Sequence, residues 1–114
     1  MTNKVDYFEI GTPDPAATKS FYEGVFGWTI EAPQGPMNYG MIDGTSGGVW
    51  DSSDTGGDNY AIFYVNVDDV QATVDRAVEL GATVKVPVMD NGTILFAHLL
   101  DPLGNRIAVW HPKP

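Results

Sequence analysis

The sequence contains no cysteine, which excludes disulfide bonds, a thiolate nucleophile and cysteine-ligated zinc. Basic residues are also few: six Lys and Arg stand against fifteen Asp and Glu, which gives a formal net charge of −9. A chain of that charge is repelled by nucleic-acid phosphates and by anionic membrane surfaces, so neither is expected as a partner. The same field favours neutral or cationic ligands.

Long apolar runs are absent as well. No stretch approaches the ~20 apolar residues that span a bilayer, and the start of the chain, 1–4, has no signal-peptide pattern. The glycine-rich stretches 44–48 and 56–57 lack the spacing and the strand-to-helix context of a phosphate-binding loop. With 43% apolar residues the composition is that of a globular domain, and we expect a cytoplasmic protein.

Two stretches of equal length carry matching helix signals. In the first, Asp14 suits an N-cap, Pro15 suits the first helical position and Gly27 suits a left-handed helix end. The second begins at Asp68 and ends at Gly81, and the repeat indicates two copies of one supersecondary unit. The predicted apolar stripes are Ala17, Phe21, Val25 and Trp28 in the first helix, and Val70, Val74, Ala77, Val78 and Gly81 in the second.

Alternating residues between turn signals predict four strands around each helix. We therefore expect an α+β domain spanning 1–114 and made of two βαβββ modules. Module one covers about 1–53, a polar, glycine-rich linker covers 52–58, and module two covers about 59–114. The predicted strands are 4–11, 28–31, 37–42 and 48–51 in module one, and 60–67, 83–88, 93–100 and 106–110 in module two.

The period of two along these strands separates two faces. One face is apolar and should meet the helices, whereas the other mixes aromatic and polar side chains, as small-molecule cavities do. The alternatives for the mixed face are exposure to solvent or burial in a subunit interface. The helix-facing set is Phe8, Ile10, Phe63, Val65, Ile107 and Val109; the opposite face carries Tyr7, Glu9, Ile62, Tyr64, Asn66, Arg106 and Trp110.

Two motifs add a resemblance to this pattern. Phe21-Tyr22 followed by 25–28, and the turn 101–105 before the last strand, resemble the vicinal-oxygen-chelate superfamily. That superfamily includes glyoxalase I, extradiol dioxygenases and the fosfomycin- and bleomycin-resistance proteins. The resemblance covers nearly the whole chain and implies curled modules that form a U-shaped cup. It also implies a homodimer, and it leaves open whether modules pair within one chain or across two.

Metal-dependent members of the superfamily hold a divalent ion with His and Glu. The resemblance places these ligands at Tyr7, Ile62 and Ala108, with a fourth near 48–50. Ile62 and Ala108 have no donor atom and a neutral phenol is a poor ligand, so we expect no metal and no other cofactor. Without a Lewis acid, glyoxalase or dioxygenase chemistry loses its main electrostatic contribution, which favours the binding-type members.

Several residues on the mixed face are candidates for ligand contact. Glu9 could anchor a cation or act as a base, or it is simply a paired or solvent-facing carboxylate. Arg106 could bind a carboxylate or phosphate, or it reaches solvent from a strand end. His98 could be a general base or only a hydrogen-bonded histidine. The aromatic residues could form a floor or pack in a core. The full predicted binding set is Tyr7, Glu9, Trp50, Ile62, Tyr64, Arg106, Ala108 and Trp110.

The favoured hypothesis is therefore a metal-independent protein that binds a small molecule, neutral or cationic, and forms a homodimer. The alternative is an enzyme: a glyoxalase-like lyase or isomerase with a relocated metal site, or a metal-free catalyst using Glu9, His98 or Tyr7. A third hypothesis is a structural module whose cavity is incidental. The sequence does not decide between them, and it does not identify the ligand.

Overall fold

The computed structural model describes residues 3–114, and Met1 and Thr2 lie outside the described residues. Predicted module one and the stretch examined for a signal peptide both begin with these two residues. Seven strands and two α-helices confirm the α+β class. Their bounds are β1 Lys4–Thr12, α1 Pro15–Phe26, β2 Tyr39–Ile42, β3 Gly47–Asp51, β4 Tyr60–Asn66, α2 Val70–Glu79, β5 Thr83–Asp90, β6 Ile94–Leu100 and β7 Arg106–Pro112, with a short 3-10 helix at Ser52–Asp54. Neither helix is long and apolar enough to cross a membrane.

The helix-end signals are largely confirmed. The Asp14 carboxylate accepts a hydrogen bond from Ala17 N at 3.1 Å, and Gly27 ends α1 in the left-handed conformation with φ of 71°. The second cap is one residue later than predicted. Asp69, not Asp68, accepts from Ala72 N at 2.9 Å, because Asp69 is the last residue with extended backbone before α2.

The chain forms two compact units, one made of residues 8–61 and the other of 3–7 with 62–114. In the unit 8–61 the strand order is β2-β3-β1, with β3 parallel to β1 and antiparallel to β2. The predicted strand 28–31 is reduced to a single bridge between Ile30 and Ile42. The predicted linker begins with the 3-10 helix, where buried Ser52 donates its hydroxyl to the Asp58 carbonyl at 2.8 Å.

The predicted face of α1 is wrong. Phe21 and Val25 are 59% and 56% exposed, and α1 contains no buried residue. The helix is instead fixed by Glu23, whose carboxylate accepts from Ile30 N at 2.8 Å and from Lys19 Nζ at 2.7 Å. These bonds turn the Tyr22 side of α1 towards the sheet. The core there consists of Ile10, Ile30, Ile42 and Val49, with Phe8, Tyr22 and Trp28 packed against it.

In the unit of 3–7 and 62–114 the strand order is β4-β7-β6-β5, with β4 parallel to β7 and the other pairs antiparallel. The register of β5 against β6 shifts twice, between Val84 and Met89. The element order from β4 to β7 confirms βαβββ for the second half. Phe63 corrects the predicted helix-facing set, because it is 44% exposed, whereas its neighbours Ile62 and Tyr64 are buried. The core here consists of Val67, Val70, Val74, Ala97, Leu99 and Val109, with Val65 and Ile107 against it.

Candidate ligand-binding residues

The metal positions implied by the resemblance do not fit a divalent ion. Ile62 and Ala108 are buried, at 8% and 0% exposure, so neither turns towards solvent and neither has a donor atom. Tyr7 packs its ring edge-on against Tyr64, with centroids 5.4 Å apart. Within residues 3–114, no group of three or more His, Asp or Glu side chains is placed to hold an ion.

Ala108 has a different role, which follows from strand register. It lies opposite Tyr64 on β4 and opposite His98 on β6, so the three residues form one row across three strands. Because the central side chain is a single methyl group, the Tyr64 ring can extend over it. The Tyr64 hydroxyl lies 3.0 Å from His98 Nε2, and both side chains are buried. The resemblance implies a metal ligand at this position; the alanine found there leaves the space that admits a tyrosine–histidine hydrogen bond.

His98 is electrically neutral at ordinary pH. Burial in the sheet face, followed by the positive charge of Arg106, lowers the pKa of His98 from 6.5 to about 3. Its ring meets Tyr64 edge-on at 5.7 Å and Phe96 at 6.1 Å. The bond to Tyr64 therefore joins a phenol to a neutral imidazole.

Asp6 provides the polar contacts beside this row. Its carboxylate accepts from the Trp110 indole Nε1 at 2.9 Å and from Asn66 Nδ2 at 3.2 Å. Trp110 lies opposite Asn66, two residues along the strands from the row of Ala108. Asp6 was not among the predicted residues, although it adjoins Tyr7 in the sequence. In an ideal strand Asp6 lies on the opposite face from Tyr7, so the alternation pattern left Asp6 out of the predicted set.

In the unit 8–61, Glu9 is 1% exposed, which excludes the solvent-facing alternative. The Tyr60 hydroxyl donates to Glu9 Oε2 at 2.7 Å. Tyr60 can lie there because Gly11 has no side chain: a Cβ on Gly11 would stand 2.0 Å from a Tyr60 ring carbon. Trp50 pairs in register with Gly11 and is 4% exposed.

A second glycine, on the neighbouring strand β3, likewise leaves room for a tyrosine ring. Gly48 lies opposite Glu9 on β3, and a Cβ there would stand 2.2 Å from the Tyr39 ring. Tyr39 and Tyr60 were both missed by the sequence reasoning. Tyr60 was detectable, since it precedes Ile62 and Tyr64 at the same period of two. Tyr39 was not, because its place depends on the register of β2 against β3.

Comparison with known proteins agrees with the motifs. The model of a family described as a Glyoxalase-like domain matches residues 7–110. DnrV of Streptomyces peucetius, an anthracycline biosynthesis protein, is 31% identical over 124 residues, covering 91% of this chain and 45% of DnrV. CFP32 of Mycobacterium tuberculosis, provisionally named a glyoxylase, is 28% identical over 123 residues, covering 92% of this chain and 44% of CFP32. The chain thus spans less than half the length of these relatives.

Solved structures show the fold. A variant of Streptomyces coelicolor methylmalonyl-CoA epimerase with bound 2-nitronate-propionyl-CoA matches with a TM-score of 0.64 at 15% identity, covering 100% of both chains. The methylmalonyl-CoA epimerase of Mycobacterium tuberculosis matches with a TM-score of 0.59 at 16% identity, covering 96% of this chain and 88% of the epimerase. The chain therefore belongs to the Glyoxalase-like domain family and has the vicinal-oxygen-chelate fold that its motifs resemble.

Proposed function

We propose that this protein binds a small organic molecule, neutral or cationic, through the aromatic and polar side chains on the strand faces that carry Glu9 and Tyr64. The observation that carries the proposal is the hydrogen bond between Tyr64 and His98, which passes over Ala108. Ala108 is a position where the resemblance implies a metal ligand. The phenol and the imidazole that meet there are suited to hydrogen bonding and to ring contact. Binding then needs no divalent ion at Tyr7, Ile62 and Ala108. The predicted set of Tyr7, Glu9, Trp50, Ile62, Tyr64, Arg106, Ala108 and Trp110 remains the proposed contact set.

Charge and ring chemistry define the ligand class. Glu9 and Asp6 bring carboxylates among aromatic residues, and the whole chain carries a net charge of −9. Both features favour a cation or a neutral hydrogen-bond donor with a planar or apolar body. DnrV is named for the biosynthesis of anthracyclines, which are planar, and this makes a ligand of that shape the first to test.

Metal-free acid–base catalysis is the second candidate, and the two candidate bases differ in their support. A group is most effective as a general base when its pKa lies near the working pH. Burial and Arg106 hold the pKa of His98 at about 3, which makes it a weak base at neutral pH. Glu9, with the Tyr60 phenol 2.7 Å away, is the better candidate for moving a proton.

The test is a calorimetric titration with two probes of opposite charge: an anthracycline bearing an amino sugar, and methylmalonyl-CoA. We expect the planar cation to bind and the anionic thioester not to bind. At 100 times its dissociation constant the bound probe should stabilise the fold by about 2.7 kcal/mol. The proposal fails if neither probe binds, or if binding appears only after Zn²⁺, Mn²⁺ or Ni²⁺ is added.

We also propose the organisation expected from the sequence: one domain of two modules, at about 1–53 and 59–114, acting as a homodimer in the cytoplasm. The lack of cysteine suits a reducing compartment. Sedimentation analysis and fractionation of the native host test these two points. A monomer at all concentrations, or recovery outside the cytoplasm, would contradict them.

A further inference from the structure

A groove lies between α2 and β5, the strand that ends the order β4-β7-β6-β5. Its volume is about 310 Å³. Five of its seven lining residues are apolar, and the two polar ones, Gln71 and Asp75, both belong to α2. Ligand pockets have this composition, with mostly apolar walls and a few polar groups that fix orientation. The volume is at the lower end of the range for such pockets, so there is room for one ring with a short arm.

The walls of the groove on the strand side follow from the two register shifts in β5. A regular strand alternates its side chains, so Val84 and Val86 would share a face. The first shift, between these two residues, sends Val86 to the opposite face, where it pairs with His98. The second shift, after Val86, lets Pro87 and Val88 both line the groove. Bulges of this kind re-aim side chains, and they are frequent at sheet edges and beside functional sites.

The floor of the groove belongs to the hydrophobic core, whereas its rim is open. Val74 is 4% exposed and is a member of the core cluster of this unit, and Val88 packs against that cluster. At the rim Val78 and Val84 are 48% and 38% exposed. An apolar ligand lying between them would remove this apolar surface from water, which is favourable.

The groove also carries a charge of one sign. Asp75 is exposed and lies one helical turn from Gln71, whose Nε2 donates to Asp75 Oδ1 at 2.9 Å. This bond orients the carboxylate, and the amide oxygen of Gln71 is a second acceptor for an N–H donor. Asp75 is the one charged residue among those that line the groove, in a chain whose net charge is −9. A cation is therefore the ligand charge that complements the groove.

The groove lies on the face of the sheet opposite to the Tyr64–His98 pair. α2 shares its core cluster with Ala97 and Val109. These two residues alternate along β6 and β7 with His98 and Ala108, and adjacent residues of a strand point to opposite faces. None of the residues proposed above for ligand contact lines the groove. It is therefore a second site, separate from the one in the proposed function.

We propose that the groove between α2 and β5 binds a small organic amine. The apolar part of the amine lies on Val74 and Val88, between the rim residues Val78 and Val84, and its ammonium group lies at the Asp75 carboxylate. An anion of the same shape is repelled by Asp75 and by the charge of the whole chain.

Titration of the full chain with phenethylamine, followed by two-dimensional amide NMR, tests the site. We expect phenethylamine to shift the signals of 71–78 and 84–88. Hydrocinnamate, which has a carboxylate in place of the amine, should leave them unchanged. Asp75→Asn keeps the size of the side chain and should weaken amine binding about fivefold, as much as an exposed ion pair contributes. Glu79→Gln is the matched control, because it removes the same charge from the same helix outside the lining.

A second variant tests the volume of the groove rather than its charge. Val78→Trp should occupy the space between α2 and β5 and reduce phenethylamine binding below detection. Leu103→Trp is its control, since Leu103 is 92% exposed and does not line the groove. It should bind the amine as the original chain does.

The proposal is overturned if phenethylamine shifts no signal in 71–78 and 84–88, or if hydrocinnamate binds as tightly. It is also overturned if Asp75→Asn or Val78→Trp binds the amine as the original chain does. Shifts confined to the surroundings of Glu9 and Tyr64 would contradict it as well, because they would place the amine in the other site. The anthracycline titration is independent, since Asp75→Asn should bind that probe unchanged.

Discussion

The Tyr64 hydroxyl reaches His98 Nε2 at 3.0 Å because alanine is the residue between them in the sheet. Both side chains are buried, and a buried polar group is costly unless it is hydrogen-bonded. The size of residue 108 therefore controls whether two polar groups are satisfied. At a position where the resemblance implies a metal ligand, a buried alanine thus gives space to a polar pair.

Replacing Ala108 with valine should destabilise the protein by about 1–3 kcal/mol, because the added methyl groups fill the space over which Tyr64 extends. Urea denaturation followed by circular dichroism measures the change. Ala61→Val is the matched control, since Ala61 is an exposed residue of β4 where extra volume meets solvent. Equal stability of the two variants would show that Ala108 is not a packing constraint.

His98 should make stability depend on pH. Its pKa in the fold is lowered to about 3 from the ordinary value of 6.5, so the unfolded chain binds this proton at a pH where the folded chain does not. Stability should therefore decline as pH falls from 6.5 towards 3, by up to about 1.4 kcal/mol per pH unit, and His98 should add no slope above that range.

Urea midpoints across this pH window, measured for the original chain and for one variant, test the prediction. His98→Gln should show a shallower slope than the original chain. The assignment is contradicted if the slope of His98→Gln matches that of the original chain. A result of that kind would mean that carboxylates dominate the acid transition.

Tyr60→Phe removes the donor that reaches Glu9 at 2.7 Å while keeping the ring over Gly11. We expect a loss of about 1–3 kcal/mol, since a buried carboxyl group then lacks this bond. A double-mutant cycle with Glu9→Gln should show coupling between the two positions. Additive effects would mean that the phenol contributes through packing alone.

Two glycine-to-alanine changes should have opposite effects. Gly11→Ala places a Cβ 2.0 Å from the Tyr60 ring and should cost about 1–3 kcal/mol as the ring is displaced. Gly24→Ala adds a methyl group in open space on a helix and should stabilise the fold by up to about 1 kcal/mol. Thermal or urea unfolding of both variants, measured side by side, checks the signs. Two changes of the same sign would contradict this account of the glycines.

The helix ends were predictable because capping is local: Asp14 and Gly27 act on backbone groups within a few residues. The direction of α1 was not, since it depends on Glu23 accepting from Ile30 N, a contact made after the chain has turned back. That backbone bond, followed by the one from Lys19, also lowers the pKa of Glu23. Apolar periodicity alone assigned Phe21 and Val25 to the core, although the structure leaves them exposed.

The candidate residues also divide into features that the local sequence pattern predicts and features that depend on distant strands. Strand alternation placed Tyr64 and Ala108 on one face, and register confirms that they are opposite one another. Alternation could not show that Ala108 is the space through which Tyr64 meets His98, because that depends on β4, β7 and β6 together. Sequence reasoning identified Ala108 as a position without a donor atom, and it could not identify the Tyr64–His98 pair that lies across it.

The hydrogen bond from Trp110 to Asp6 joins residues 104 positions apart. During synthesis the first strand is made long before its partner indole exists, so the unit that contains residues 3–7 is completed only after Trp110 has been added. Until then Asp6 and Asn66 are available to other contacts, and a truncated chain ending before β7 would leave Asp6 without the tryptophan donor. Closure of this unit therefore follows the synthesis of β7, in the order in which the residues are made.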